Sequence, residues 1–393
     1  SNMSNVKENS KFKRFISLFI SLILVVSIAA GVDTLAFAAD TYYRPVAKMK
    51  TMLRVDNYSS GDVKCTNLGG ISAGTANNRL FCIKSNSYEA VSTLYYYNNI
   101  YDSRFKAEDS SKRKKPKRIV FKNALLGHAN AMAVDDNYLY VCRWYMKKEN
   151  ATSNSRKSDI LKISRKAISE LSDGATVTLV TQKTSKGTPI CENIVPYDSN
   201  GNKYTRSICA ITRYSYDKTN NVIKFLINYN YKSGNNGEKN KYLQYTIATY
   251  SNGKFVVSTD PKDIFTVENC YGDATMQDIF YDSSYGIFIP MWFDRYSDKN
   301  VKNTNRVLIA DISKLKSNTT GSSLTFKPKT VVTVNGSISK YDQYEVESIA
   351  FINRDSNKNS IAPKIVFSCN TLTKENKAED RVEMITNSAE VLK

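Results

Sequence analysis

Asp278 and Glu347 are the two carboxylates that could act on one bond, and His128, the only histidine in the 393 residues, could move a proton beside them. A glycosidase sets two carboxyl groups ~5–5.5 Å apart to retain configuration or ~6.5–9.5 Å apart to invert it. A histidine, with an ordinary pKa of ~6.5, exchanges protons near neutral pH. Asn130, Gln277 and Glu345 complete a set of amide and carboxyl groups suited to binding a sugar or another polar ligand. Glu347, Asp278, Asn130 and Gln277 together also offer the oxygen donors that Ca²⁺ takes. Trp144 and Trp292 add aromatic faces that could stack on sugar rings or pack between elements of the fold. The plain alternative is that all these polar groups hydrogen-bond backbone at strand ends.

These residues fall into one frame because the chain repeats. Ala131–Val134, a turn at Asp135-Asp136-Asn137 and Tyr138–Cys142 form the clearest copy of a strand–turn–strand unit. Weaker copies begin near Gly70, Ile208, Gln277 and Val346. With Ile71, Met132, Ile211, Ile279 and Ile349 as equivalent anchors, the spacings are 61, 79, 68 and 70 residues. Such periods suit four-stranded blades with long loops, so the sequence predicts an all-β propeller of five blades. Helical periodicity is weak, best at Arg165–Leu171, and a β-sandwich with insertions is the competing fold. The last unit lacks a fourth strand, and residues near Ala47–Arg54 are predicted to supply it and close the ring. In this register Asn130, Gln277 and Glu347 are equivalent, as are His128, Thr275 and Glu345 two residues earlier. Trp144 and Trp292 also share one blade position. The expected site is therefore the channel mouth at the starts of the inner strands.

Charge and the N-terminal stretch bound the setting. Ser1-Asn2 before Met3 reads as a cloning remnant. Lys11, Lys13 and Arg14, the apolar run from Phe15 to Ala30 and Ala36-Phe37-Ala38 then have the form of a secretory signal cleaved near Ala38. This divides the chain into residues 1–38 and a single propeller domain, 39–393, with no stable membrane insertion after cleavage. The apolar run is shorter than the ~20 residues of a membrane span. The formal net charge is +19, and +17 without residues 1–38. On an exported protein that excess favours cell-wall polymers, acidic polysaccharides or lipid headgroups, and it also keeps a surface soluble. No nucleic-acid motif accompanies it.

Lys112-Arg113-Lys114-Lys115-Pro116-Lys117-Arg118 holds six basic residues in seven and reads as a local patch for an anionic polymer or as a solvated loop. Seven cysteines do not form an obvious disulfide framework. Cys82, Cys142 and Cys369 read as small buried hydrophobes, and Cys191 with Cys209 is the pair to test for a bridge. Gly-x-Ser-x-Gly, His-Glu-x-x-His, a phosphate-cradling Gly-rich loop and Cys-x-x-Cys are all absent, which removes many familiar enzyme classes.

The segments Gly127-His128-Ala129-Asn130-Ala131-Met132-Ala133-Val134-Asp135, Gln277-Asp278-Ile279-Phe280-Tyr281 and Glu345-Val346-Glu347-Ser348-Ile349-Ala350-Phe351 resemble secreted β-propeller proteins of Gram-positive bacteria, including the helveticin J-like group. The resemblance spans Gly70 to Ile385 as an architecture and implies a cell-surface or antagonistic role rather than a defined reaction. Five-bladed arabinanase-like glycosidases share the architecture, but their catalytic segments find no ordered match here.

Three readings stay open. The first is a secreted, monomeric, non-catalytic propeller that binds carbohydrate or an anionic cell-surface polymer through His128, Asn130, Trp144, Gln277, Asp278, Trp292, Glu345 and Glu347. The second is a glycoside hydrolase using Asp278 and Glu347 with His128. The third is a structural or protein-interaction propeller.

Overall fold

Strands that are buried along both faces dominate the chain, as expected where every sheet packs between two others. All six residues of Leu80–Ser85 are buried, and so are all five of Arg381–Ile385. A computed structural model describes residues 42–393, apart from 74–77, 87–89, 144, 148–153, 157–158, 231–241, 269–273, 294–303, 336–340, 353–362 and 376. Arg44–Lys393 form one structural unit.

Among the described residues there are five sheets of four or more strands. The first is built outward from Asn67–Ala73 through Leu80–Ser85 and Ser92–Tyr97 to Lys117–Phe121. The second runs Ala131–Val134, Tyr138–Cys142, Ile160–Ser164, Cys191–Ile194. The third runs Ala210–Asp217, Val222–Asn230, Tyr242–Ser251, and Tyr242–Ser251 then pairs with both Lys254–Val257 and Phe265–Glu268. The fourth has Gly286–Phe293, Thr304–Ala310 and Thr330–Asn335 behind a broken inner strand, Ala274–Met276 and Phe280–Asp282. The fifth runs Tyr341–Ile352, Lys364–Thr373, Arg381–Ile385 and ends on Met49–Arg54 from the other end of the chain.

The sheets touch in ring order: first sheet to second, second to third, third to fourth, fourth to fifth and fifth back to first. That closed circuit of mainly antiparallel sheets is a β-propeller. Its closure is the antiparallel pairing of Met49–Arg54 with Arg381–Ile385, where Leu53 faces Val382. The pairing covers a sheet edge that would otherwise be open.

The core lies between sheets. Leu53, Leu80, Tyr95 and Tyr97 pack with Val366, Val382 and Met384 between the first and fifth. Ile83, Leu94 and Phe121 meet Met132, Leu139 and Ile163 between the first and second. Tyr140 and Ile160 meet Phe225, Tyr250 and Phe255 between the second and third, and Phe288 and Val332 meet Val346 and Phe351 between the fourth and fifth. Each fully buried side chain of this size contributes about 1.5–3 kcal/mol relative to an exposed one.

Ala175–Val177 lies outside the second sheet and pairs in parallel with Lys117–Phe121 of the first. The outer strand of the second sheet is Cys191–Ile194 instead. Cys191 and Cys209 form no disulfide: Cys65, Cys82, Cys142, Cys191, Cys209 and Cys369 are all buried and unbridged, and the Cys209 thiol donates to Asn228 Oδ1 at 2.8 Å. Helix remains scarce, and Arg165–Glu170 is a short α-helix capped by Ser164, whose hydroxyl accepts from Ala167 N.

Candidate functional site

The two ends of the central channel differ in chemistry. At the starts of the inner strands, three of the sheets bring polar side chains together. Asn130 Nδ2 donates to Gln277 O at 2.9 Å, Gln277 Nε2 donates to Glu345 Oε1 at 3.0 Å, and Gln343 Nε2 donates to Glu345 Oε2 at 3.2 Å. Gln277 can reach across because the inner strand of the fourth sheet is interrupted at Gln277–Ile279, between its two short segments. Close approach is also built into the first sheet. Gly70 N donates to Ala129 O at 3.0 Å, and a Cβ on Gly70 would lie 2.9 Å from that oxygen.

Asp278 and Glu347 are each engaged separately. Ser348 Oγ donates to Asp278 Oδ2 at 2.5 Å, with Ile349 N at 3.4 Å. Ser348 Oγ in turn accepts from Ile71 N. Asp278 is 1% exposed, its Oδ1 has no hydrogen-bond partner among the described residues, and burial pushes its pKa well above the usual carboxylate range. Asn370 Nδ2 donates to Glu347 Oε1 at 2.5 Å. Burial first, and then the charge of Glu345, push the Glu347 pKa up as well. A carboxyl group buried this deeply is a packing element unless a substrate can reach it, and 1% exposure leaves little of Asp278 to reach.

The other predicted residues scatter. His128 is half-buried, and its backbone N–H donates to Arg143 O at 3.3 Å. Trp292 is half-buried opposite Thr275, with an Nε1 that is buried and has no hydrogen-bond partner among the described residues. Trp144 lies outside the described residues. Among the described residues no three His, Cys, Asp or Glu side chains are grouped to hold a metal ion.

The far ends of the inner strands open into a cavity of about 340 Å³, lined by residues from all five sheets. That size falls in the range of about 300–1,000 Å³ typical of ligand pockets. Its walls are aromatic. Tyr214 and Tyr281 lie with ring centroids 4.8 Å apart, and Phe280 stacks on Phe351 at 4.5 Å. Tyr281 is fixed by its backbone N–H, which donates to Thr212 Oγ1 at 3.0 Å. Burial, with the Asp282 charge next in size, raises the Tyr281 phenol pKa to about 12. The Tyr214 hydroxyl is buried without a hydrogen-bond partner among the described residues. Arg213 lines the same cavity half-buried, and no described carboxylate pairs with it.

Sequence reasoning missed this end because it aligned where the inner strands begin. The signal that would have found it is the aromatic density just past two anchors, Arg213-Tyr214-Ser215-Tyr216 after Ile211 and Phe280-Tyr281 after Ile279.

The basic run Lys112–Arg118 is largely spent on its own fold. Arg113 pairs with Asp56, Lys114 with Asp102 at 2.9 Å, Arg118 with Asp173 at 2.7 Å, and Lys112 with Asp109 at 3.8 Å. Lys117 Nζ donates to Ile168 O and Ser169 O. Most of the run is a clasp between loops rather than an open polymer patch.

No protein-family model matches the chain, and no curated protein matches it in sequence. Solved structures similar to it include the tail fiber of Staphylococcus aureus phage P68, at 11% identity and a TM-score of 0.46, covering 88% of this chain and 54% of that one. The Dos1 propeller is similar at 12% identity and a TM-score of 0.30, covering 85% of this chain and 62% of that one. A neuraminidase-like protein from A/bat/Guatemala/164/2009 is similar at 9% identity and a TM-score of 0.31, covering 88% and 96%. The chain thus spans about half the length of the tail fiber it resembles.

Proposed function

We propose that this chain is a secreted, cationic β-propeller that binds carbohydrate or another anionic cell-surface polymer at one end of its central channel, without turning it over. The observation that carries the reading is the cavity at the far ends of the inner strands. It combines Tyr214, Tyr216 and Tyr281, whose faces suit sugar rings, with Arg213, a half-buried guanidinium with no described carboxylate partner. The net charge of +17 without residues 1–38 gives the secreted chain an attraction for anionic polymers. The N-terminal signal pattern supports secretion to a place where such polymers are met.

The polar cluster at the other end supports the reading less, because Asn130, Gln277, Glu345 and Gln343 already satisfy one another. The test is retention on insoluble cell walls and on acidic polysaccharide beads, comparing wild type with Tyr281→Ala and with Asn130→Ala. Retention lost in Tyr281→Ala and kept in Asn130→Ala is the expected result. Equal retention in both variants would leave only non-specific charge and overturn the proposal.

A further inference from the structure

A second cavity of about 240 Å³ lies between the second and third sheets. Arg213 and Tyr216 line both it and the channel-end cavity. The two spaces are therefore neighbours across one arginine and one tyrosine, and Tyr216 is 47% exposed. Beyond that junction the groove is walled by Tyr138 and Tyr250, with Lys162 Nζ held between them. It lies 4.0 Å from the Tyr138 ring centroid and 3.1 Å from the Tyr250 hydroxyl.

The charges of the groove are not alike. Asp135 and Asp136 both line it, and Asp135 is tied down by Asn137 N, Tyr138 N and the Tyr140 hydroxyl. The Lys162 ammonium has Glu192 3.9 Å away. Arg213 is the cation at the junction that no described carboxylate neutralises. Its guanidinium can grip a carboxylate through two parallel hydrogen bonds, which a lysine cannot reproduce.

We propose that the two cavities form consecutive subsites for one acidic polysaccharide chain, with a sugar carboxylate on Arg213 at the junction and the following residue in the groove beside Tyr138. This rests on the carbohydrate-binding reading and adds to it the ligand's length and the position of its charge. A single sugar would fill only one cavity, so the sites predict affinity that grows with chain length. A neutral chain would leave Arg213 unanswered and bind more weakly.

The experiment is calorimetric titration of the full chain with galacturonic acid, trigalacturonic acid and neutral galactotriose. Trigalacturonate is expected to bind at least about tenfold more tightly than either other probe. Arg213→Gln should remove about tenfold or more of that affinity, the scale of a lost charge-assisted hydrogen bond, and Arg213→Lys should restore only part of it. Tyr138→Ala should weaken the trisaccharide and leave the monosaccharide unchanged. Circular dichroism and melting curves on each variant identify any that fail to fold, and Tyr216→Ala, at an exposed position, gives a second junction variant. Equal binding of mono- and trisaccharide, or a trisaccharide indifferent to both Arg213→Gln and Tyr216→Ala, would overturn the proposal. If that happens while Tyr281→Ala still abolishes cell-wall retention, the broader binding function stands and only the extended acidic ligand falls. Loss of neither binding nor retention in any variant would remove both.

Discussion

Ser348 and Asp278 join the fifth and fourth sheets at the channel through a 2.5 Å hydrogen bond from the serine hydroxyl to Oδ2. Both residues immediately precede their repeat anchors, Ile349 and Ile279. Equivalent positions in two units thus meet at the ring centre, and the partner of one inner strand is the next inner strand.

The first prediction rests on the Asp278 environment. Its pKa is raised in the folded chain by burial, whereas an unfolded aspartate titrates near ~3.9. Above that pH the unfolded chain gives up this proton while the folded chain keeps it, so this group's contribution to stability falls as pH rises. Asp278→Asn removes the dependence. Melting curves from about pH 4 to 8 should therefore show the variant gaining on wild type as pH increases. A wild type that gains on Asp278→Asn over that range would mean that Asp278 is ionised in the fold.

Lys84 supplies the second. Its ammonium is buried in the first sheet against Asp380 of the segment before the last strand, at 2.8 Å, with side-chain exposures of 1% and 3%. Asn57 Oδ1 accepts a further bond from it at 2.9 Å, and Thr371 N donates to Asp380 Oδ1. Lys84→Met strands a buried carboxylate and should cost about 3–5 kcal/mol in urea unfolding. Lys84→Met combined with Asp380→Leu should recover much of that loss. Equal losses in the single and double variants would show that the pair is not what holds the two ends together.

The third concerns the thiols. Six cysteines are buried and unbridged, and burial pushes the Cys191 pKa up to about 11. Because the thiolate is the reactive form, a thiol reagent should modify at most one of the seven cysteines before unfolding and all of them after. Addition of reductant should leave the melting temperature unchanged, and a drop would reveal a disulfide.

How much of this was legible beforehand depends on what each signal measures. The repeat anchors were visible because every inner strand needs a buried β-branched or similar residue at the same depth, and Ile71, Met132, Ile211, Ile279 and Ile349 fill it. Strand closure was legible as an accounting problem, one strand too few at Ile385 and one spare near Arg54. Pairings between sheets were not legible. Ala175–Val177 crosses to the first sheet because its loop, not its alternation, sets the partner. The meeting of Asn130 and Gln277 was legible in the register, but the register set Glu347 beside them, whereas the fold brings Glu345 there and gives Glu347 to Asn370. The arginine and tyrosines at the opposite end were not legible, since strand length past the anchor decides which side chains reach the rim, and periodicity is silent on length.

The last prediction tests closure itself. Met49–Arg54 completes the fifth sheet through Met49 facing Ile385 and Leu53 facing Val382, and Leu53 is fully buried among Val382, Met384 and residues of the first sheet. Leu53→Ala should cost about 2–5 kcal/mol, the range for a large-to-small change in a packed core. A chain beginning at Asp56 loses the whole strand and leaves Arg381–Ile385 as an open edge, which pairs readily with other chains. It should elute as an aggregate or unfold at far lower urea than a chain beginning at Ala39. A monomeric Asp56 chain of unchanged stability would mean that the ring closes without its N-terminal strand.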